Sequence, residues 1–338
     1  MQQKIKVLVT LPFEQPLIDK LERVSPILEI VQHEAHLAEE VAGIVGEVEV
    51  LYTGEAIPLL GAAPSLRWVQ LHSAGADSIL DHSLYTQSDV MFTTANGIHA
   101  IPVAEYVMAQ ILAFAHHLPE MFEDKVNSAW PKNRWKRYVP SEIHDATLGI
   151  VGYGSIGRHV ARLAQAFNMK VLAIKRDVRI LADERYAGPG IGDPDGELPD
   201  RIYPPQALLS FLKECDYVVL TVPLTSHTHH LIDAAALSGM KSNAVLINVA
   251  RGDVIDEQAL LFALVQGTIG GAALDVFSEE PLPVSNPLWQ LPNVIISPHI
   301  SGFTPYYDER ATDIFAENLR RYVAGEPLLN VVDRDRDY

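Results

Sequence analysis

ATLGIVGYGSIGRHVARLAQAF, residues 146–167, decides the fold. An apolar run of strand type passes directly into Gly152-Tyr153-Gly154-Ser155-Ile156-Gly157, and a helical pattern follows. A dinucleotide-binding turn requires that strand–turn–helix setting. Gly152 makes the tight turn, Gly154 lets a pyrophosphate approach the backbone, and Gly157 lets helix and strand pack closely. The helix N-terminus then offers its unpaired N–H groups to phosphates. Tyr153, Ser155 and Ile156 fall in the same turn and are expected to line the cofactor.

The next strand, KVLAIK at 170–175, bears on which dinucleotide binds. An acidic residue about 20 positions past the turn would bond the ribose hydroxyls of NAD, and counting alone nominates Asp177. The strand itself ends in Lys175-Arg176. Two cations there would attract the 2′-phosphate of NADP, whereas a carboxylate would repel it. NADP(H) is therefore favoured over NAD(H).

Outward from this unit, strand patterns DYVVLTV, AVLINVA, GAALDVF and NVIISPH alternate with helical patterns or turns. Residues 186–205, dense in Gly, Pro and Asp, read as a long loop. On the N-terminal side, KIKVLVT at 4–10, ILEIV at 27–31, VEVLY at 48–52 and LRWVQL at 66–71 read as further strands. Helical spacing separates them at Leu17, Leu21 and Val24, and again at Leu37, Val41, Ile44 and Val45. From Ile101 to His117 a long apolar helix could join two domains, and a last helical segment runs from Thr304 to Tyr322. NSAWPKNRWKRY at 127–138, basic and aromatic, reads as an exposed arm or dimer contact. No repeat of fixed period is present.

The chain has 338 residues, which at about 150 per domain predicts roughly two domains. Acidic groups outnumber basic ones, 43 to 26, for a formal charge of −17. Nucleic acid and anionic membranes are unsuited partners for such a field. With 48% apolar residues the chain can bury a normal core. No run approaches the roughly 18 apolar residues of a membrane span. Cys215, the only cysteine, admits no intrachain disulfide, reads as a packed core residue, and fits a reducing cytoplasm.

The motifs VGYGSIG, VPLTSHT at 222–228, INVARGDVID at 247–256, ALDVFSEEPLP at 273–283 and SPHISGFT at 297–304 resemble the D-isomer-specific 2-hydroxyacid dehydrogenases. They occur in the family's order, and QLHSAGADSI at 70–79 extends the likeness into the N-terminal region. The resemblance implies two Rossmann-like or flavodoxin-like α/β domains with parallel sheets and an interdomain cleft. Residues 1–101 with 299–338 would bind substrate and 102–298 would bind NAD(P). It implies a homodimer formed by the cofactor domains.

Reduction of a 2-oxo acid needs a carboxylate anchor, a proton donor and a hydride. Arg251 follows the strand AVLINVA, and its planar guanidinium can pair two acceptor atoms of a carboxylate and keto group. His299 follows NVIISP and can protonate a developing alkoxide. Glu280 is the implied carboxylate partner, chosen over Glu279 by its place before Pro281; an ionised neighbour favours imidazolium. The resemblance further assigns backbone N–H groups of Ser73, Ala74 and Gly75 to the substrate carboxylate. Val222, Pro223, Thr228, Ala250 and Asp275 would line the cofactor cleft.

His227, His229 and His230 tempt a metal reading, but the family carries the same frame without metal, so none is expected. His72, His99, His116 and His117 receive no role. Tyr52, Trp130, Trp135, Phe303 and Tyr306 are candidate specificity contacts. A glyoxylate/hydroxypyruvate reductase-like enzyme is the first reading and D-3-phosphoglycerate dehydrogenase the alternative. A dinucleotide-sensing, co-repressor-like binding protein is the rival from another class, disfavoured because Arg251, Glu280 and His299 are all retained.

Overall fold

The computed structural model describes residues 4–183, 188 and 190–334. The chain divides into two compact units, Met1–Ile98 with Thr304–Tyr338, and His99–Phe303.

The smaller unit is a five-stranded sheet of β1 (Ile5–Val9), β2 (Leu28–Gln32), β3 (Val50–Thr53), β4 (Trp68–Leu71) and β5 (Met91–Thr93). All neighbours are parallel, in the order β2-β1-β3-β4-β5, the flavodoxin-like winding. Every residue of β3 and β4 is buried, as expected of parallel strands covered on both faces. The chain returns to this sheet through the helix Tyr307–Ala324. Its Phe315 packs on Tyr52 and Trp68, with ring centroids 4.4 and 5.3 Å apart. Beneath it runs a fully buried polar chain. Trp68 Nε1 donates to Thr93 Oγ1 (2.7 Å), Thr93 Oγ1 to Gln70 Oε1 (2.8 Å), and Asn318 Nδ2 to the same Gln70 oxygen (3.2 Å). Each donor finds an acceptor, the condition for burying polar groups at little cost.

The larger unit holds β6 (Thr147–Val151), β7 (Lys170–Ile174), β8 (Arg201–Tyr203), β9 (Tyr217–Leu220), β10 (Val245–Asn248), β11 (Gly271–Leu274) and β12 (Val294–Ile296). The order β12-β11-β10-β9-β6-β7-β8 is parallel throughout. Counted from β6 it is the Rossmann order with one strand added. Its winding reverses between β6 and β9, where open α/β sheets bind ligands at their carboxyl edge. The helices Ala100–Ala115 and Ser155–Ala166 pack against each other over this sheet.

Three expectations need correction. The 186–205 stretch is not loop throughout: Arg201–Tyr203 pairs with β7, its start fixed by Asp200, whose carboxylate accepts the Val171 N–H (2.7 Å). Residues 186, 187 and 189 of that stretch lie outside the described residues. Helical spacing at 37–45 yields only a four-residue helix and a short 3₁₀ turn, since Gly43 and Gly46 weaken helix propagation. Finally, the units part at Ile98/His99 and Phe303/Thr304 rather than at 101/102 and 298/299. His299 goes with the larger unit because its N–H donates to the Asp275 carbonyl (2.8 Å). β5 carried no strand pattern long enough to read. Among the described residues no helix is long and apolar enough to cross a membrane.

Cys215 is fully buried against β6, where a Cβ on Gly149 would overlap its Sγ. Burial pushes its thiol up to about 12, so at pH 8 the thiolate that attacks disulfide reagents is scarce. The native protein should therefore be labelled only on denaturation. Equal rates of colour release by a thiol reagent before and after adding guanidinium would contradict this packing.

Candidate active site

The glycine turn joins β6 to the helix Ser155–Ala166. Gly152 has φ +104°, and a Cβ there would lie 2.9 Å from the Thr221 carbonyl. On Gly157 a Cβ would overlap the Gly152 oxygen and come within 2.9 Å of Ile150 Cγ2. Bare backbone thus faces the turn, and Gly154 stands as N-cap of the helix with Ser155 and Ile156 opening it. Gly152, Gly154 and Gly157 bring no side chain to the turn, which fits a pyrophosphate held by N–H groups. The Tyr153 side chain turns inward, 3% exposed, and its hydroxyl donates to Asp193 Oδ2 (2.6 Å).

At the end of β7, Lys175 Nζ donates to the carbonyls of Ile180 and Leu181, and Arg176 is exposed. Both oxygens of Asp177 are taken by Arg179, each at 3.0 Å. Those bonds hold the Asp177 carboxyl down at about 2. At the end of β9, Val222 lies beside Gly152. The Thr228 hydroxyl closes the following turn onto the Pro223 carbonyl (2.6 Å).

At the end of β10, the buried Asn248 shapes the turn that presents Arg251. Its Oδ1 accepts the Ala250 N–H (3.0 Å) and its Nδ2 donates to the Arg251 carbonyl (2.9 Å). Arg251 is half-buried, its Nη1 donating to the Ala250 carbonyl (2.8 Å). A Cβ on Gly252 would overlap the Phe277–Ser278 peptide. That close approach seats the Arg251 segment on the segment leading to Glu280.

Glu280 Oε1 accepts the Phe277 N–H (2.9 Å) and its Oε2 lies 2.8 Å from His299 Nδ1. The pair has half its imidazole exposed. With Nδ1 committed to the carboxylate, Nε2 is the nitrogen left to exchange a proton. His299 takes the left-handed conformation, φ +52°, which costs energy outside glycine and asparagine. Asp275 is the restraint. Fully buried, it accepts Ser297 Oγ (2.5 Å), Ile300 N–H (2.9 Å) and Ser301 N–H (2.9 Å) on its carboxylate. Tyr106 completes the set through Ser297 Oγ (2.7 Å).

Ser73, Ala74 and Gly75 follow β4 in the smaller unit, where Ser73 Oγ donates to the Gly75 carbonyl (2.7 Å). Of the candidate specificity residues, Tyr52 is fully buried and bonded to His72 Nδ1 (3.0 Å). Trp130, Trp135, Phe303 and Tyr306 are exposed. Among the described residues no three His, Cys, Asp or Glu side chains converge as metal ligands; His229 and His230 stack on each other instead. Sequence reading missed Asn248, Tyr106 and Ser297. A polar residue closing an apolar strand was the signal for Asn248; Tyr106, on the 100–115 helix, had none.

Residues 108–301 match the family model described as D-isomer specific 2-hydroxyacid dehydrogenase, NAD binding domain. Glyoxylate/hydroxypyruvate reductase B of Citrobacter koseri is 36% identical over 90% of this chain and 88% of its own length. D-3-phosphoglycerate dehydrogenase of Methanocaldococcus jannaschii is 33% identical over 97% of this chain, which spans only 59% of that relative. A D-isomer specific 2-hydroxyacid dehydrogenase of Xanthobacter autotrophicus, solved with NADPH and MES, superposes with a TM-score of 0.77 at 28% identity, covering 99% of this chain and all of that one.

Asp275→Asn puts an amide against three donors and leaves one of them unpaired, which should cost about 1–3 kcal/mol. Urea denaturation reads the loss. Undiminished stability would mean that the carboxylate is not what holds the 297–301 loop.

Proposed function

The chain belongs to the D-isomer specific 2-hydroxyacid dehydrogenases, and from that membership we propose that it reduces a small 2-oxo acid of the glyoxylate or hydroxypyruvate type reversibly to the D-2-hydroxy acid. The single observation that carries the reading is the 2.8 Å contact of Glu280 Oε2 with His299 Nδ1. A carboxylate-oriented imidazole with its second nitrogen outward is built to pass a proton to and from an oxygen.

Bound NAD(P)H supplies the hydride to the carbonyl carbon. In reduction His299 gives its Nε2 proton to the developing alkoxide; in oxidation it takes that proton back. Glu280 keeps the Nδ1 proton in place and the ring oriented. Arg251 pairs its guanidinium with the carboxylate and keto oxygens, which holds the reacting carbon in one orientation. The N–H groups of Ser73, Ala74 and Gly75 are assigned to the same carboxylate, so the smaller unit takes the substrate and the larger the dinucleotide. Gly152, Gly154 and Gly157, with Ser155 and Ile156 at the helix start, hold the pyrophosphate. Val222, Pro223, Thr228 and Ala250 flank the cofactor, as does the backbone of Tyr153 and Asp275.

NADP(H) is preferred in this reading. Lys175 and Arg176 end β7, while Asp177, the residue able to bond ribose hydroxyls, already gives both oxygens to Arg179. NADPH in the Xanthobacter autotrophicus protein lends support. A cytoplasmic homodimer completes the proposal, the exposed Phe122, Val126, Trp130 and Trp135 offering apolar surface for a second copy.

A panel of glyoxylate, hydroxypyruvate, 3-phosphohydroxypyruvate and pyruvate assayed with NADPH and NADH tests this. Glyoxylate or hydroxypyruvate should consume NADPH with the highest kcat/KM. His299→Ala should lower kcat by about 10²–10⁴-fold with NADPH affinity retained. Preference for 3-phosphohydroxypyruvate would move the reading to phosphoglycerate dehydrogenase; tight NADPH binding without turnover of any acid would favour the sensor.

A further inference from the structure

Arg158, one residue past the last glycine of the turn, is 2% exposed and takes no part in the chemistry above. A buried guanidinium persists where its charge is paired and most of its donors are met. Here the partners come from the stretch after β7 and from the glycine turn. Nη1 donates to the Asp193 carbonyl and Nη2 to the Leu181 carbonyl (2.5 Å). Nε lies 3.2 Å from an Asp183 carboxylate oxygen, an ion pair without a hydrogen bond. The guanidinium carbon stands 4.8 Å above the ring of Tyr153, a cation–π placement.

Its neighbours grip the same stretch. The Tyr153 hydroxyl donates to Asp193, whose carboxylate also accepts the N–H groups of Glu197 (3.1 Å) and Leu198 (3.0 Å). Arg162 Nε donates to the Gly192 carbonyl (2.6 Å), and the Gly192 N–H donates to His159 Nδ1 (3.2 Å). Two adjoining carbonyls matter most. Leu181 O receives Arg158 and, at 3.4 Å, Lys175 Nζ, whose nearer acceptor is the adjoining Ile180 carbonyl, and a Cβ on Gly196 would press within 2.6 Å of Leu181 O. The helix that opens the phosphate cradle is thereby mechanically joined to the cation at the end of β7.

We propose that Arg158 is a positioning residue for the adenosine end of the dinucleotide, fixing through the Ile180–Leu181 backbone where Lys175 stands. This rests on the NADP(H) reading above. Lysine is a point charge on a flexible stem, and holding it in one place removes ordering entropy that binding would otherwise have to supply. The device acts on a 2′-phosphate and leaves a 2′-hydroxyl nearly indifferent, so it sets discrimination and not turnover.

The test measures Kd for NADPH and NADH by fluorescence, with kcat at saturation, in the wild type, Arg158→Gln, Lys175→Gln and the double variant. Arg158→Gln should weaken NADPH by about tenfold, the scale of one to two kcal/mol, leave NADH within about twofold, and keep kcat. Adding Lys175→Gln should cost less than in the wild-type background, since neighbours acting through one short backbone segment are non-additive. A purely structural role would lower Tm and weaken both dinucleotides alike, and that result overturns the inference. So does an unchanged NADPH/NADH ratio or full additivity. If Arg158→Gln does not fold, Tyr153→Phe removes only the hydroxyl bond to Asp193; a ratio unchanged there overturns the inference equally. A wild type that does not prefer NADPH sinks the cofactor reading itself, whereas a wild type that does, with a variant ratio unmoved, sinks only this inference.

Discussion

Much of the larger unit's chemistry hangs on one buried carboxylate. Asp275 has no solvent to share its charge with, so its stability depends on the three donors that reach it, and all three come from the loop holding His299. The dependence runs both ways. Ser301 would bury an unpaired N–H group without that carboxylate, and such a group costs more than a made bond returns. More than twenty residues on from the buried aspartate, the 297–301 loop could have closed in many ways; with both oxygens committed it closes in one. The strained φ of His299 is tolerated because its own N–H is also tied, to the Asp275 carbonyl. An imidazole on an unrestrained loop would meet Glu280 only part of the time.

The second constraint is close approach of backbone to backbone. Gly252 sits where any Cβ would overlap the Phe277–Ser278 peptide, and Gly152, leaving β6, where it would press on the Thr221 carbonyl leaving β9. These contacts belong to different functions, yet they solve the same problem. Parallel strands about 4.8 Å apart deliver their carboxyl ends side by side. Segments leaving neighbouring strands must then cross without side chains in the way. The Arg251 and Glu280 segments, leaving β10 and β11, are joined in that manner.

What the sequence made legible follows from how local each signal is. The glycine turn, the two α/β series and the strand-end positions of Arg251 and His299 are written in contiguous stretches, and a period or a spacing exposes them. The pairing of Glu280 with His299 needed the family resemblance, because nothing in the spacing of residues 280 and 299 implies contact. Asn248, Tyr106 and Ser297 escaped reading for the same reason: their work is a hydrogen bond to something remote or to a backbone atom. β8 was hidden inside a stretch dense in Gly, Pro and Asp, and β5, three residues, offered too short a run. Helical spacing at 37–45 misled because apolar periodicity survives glycines that the helix itself does not.

The charge of −17 looks at odds with ligands that are anions, and the local structure resolves it. A diffuse negative field repels at long range and is screened within about 8 Å at physiological salt. Placed cations act at contact, where screening is weak. Here they are made local by pairing their competitors away. Arg179 occupies Asp177, and Asp193 spends its carboxylate on Tyr153 and two backbone N–H groups. Lys175 then faces a strand end whose nearest carboxylate in sequence is already neutralised. Net charge thus excludes polyanions that need a broad basic face, and it is silent about a single phosphate met by one or two fixed cations and the N-terminus of a helix.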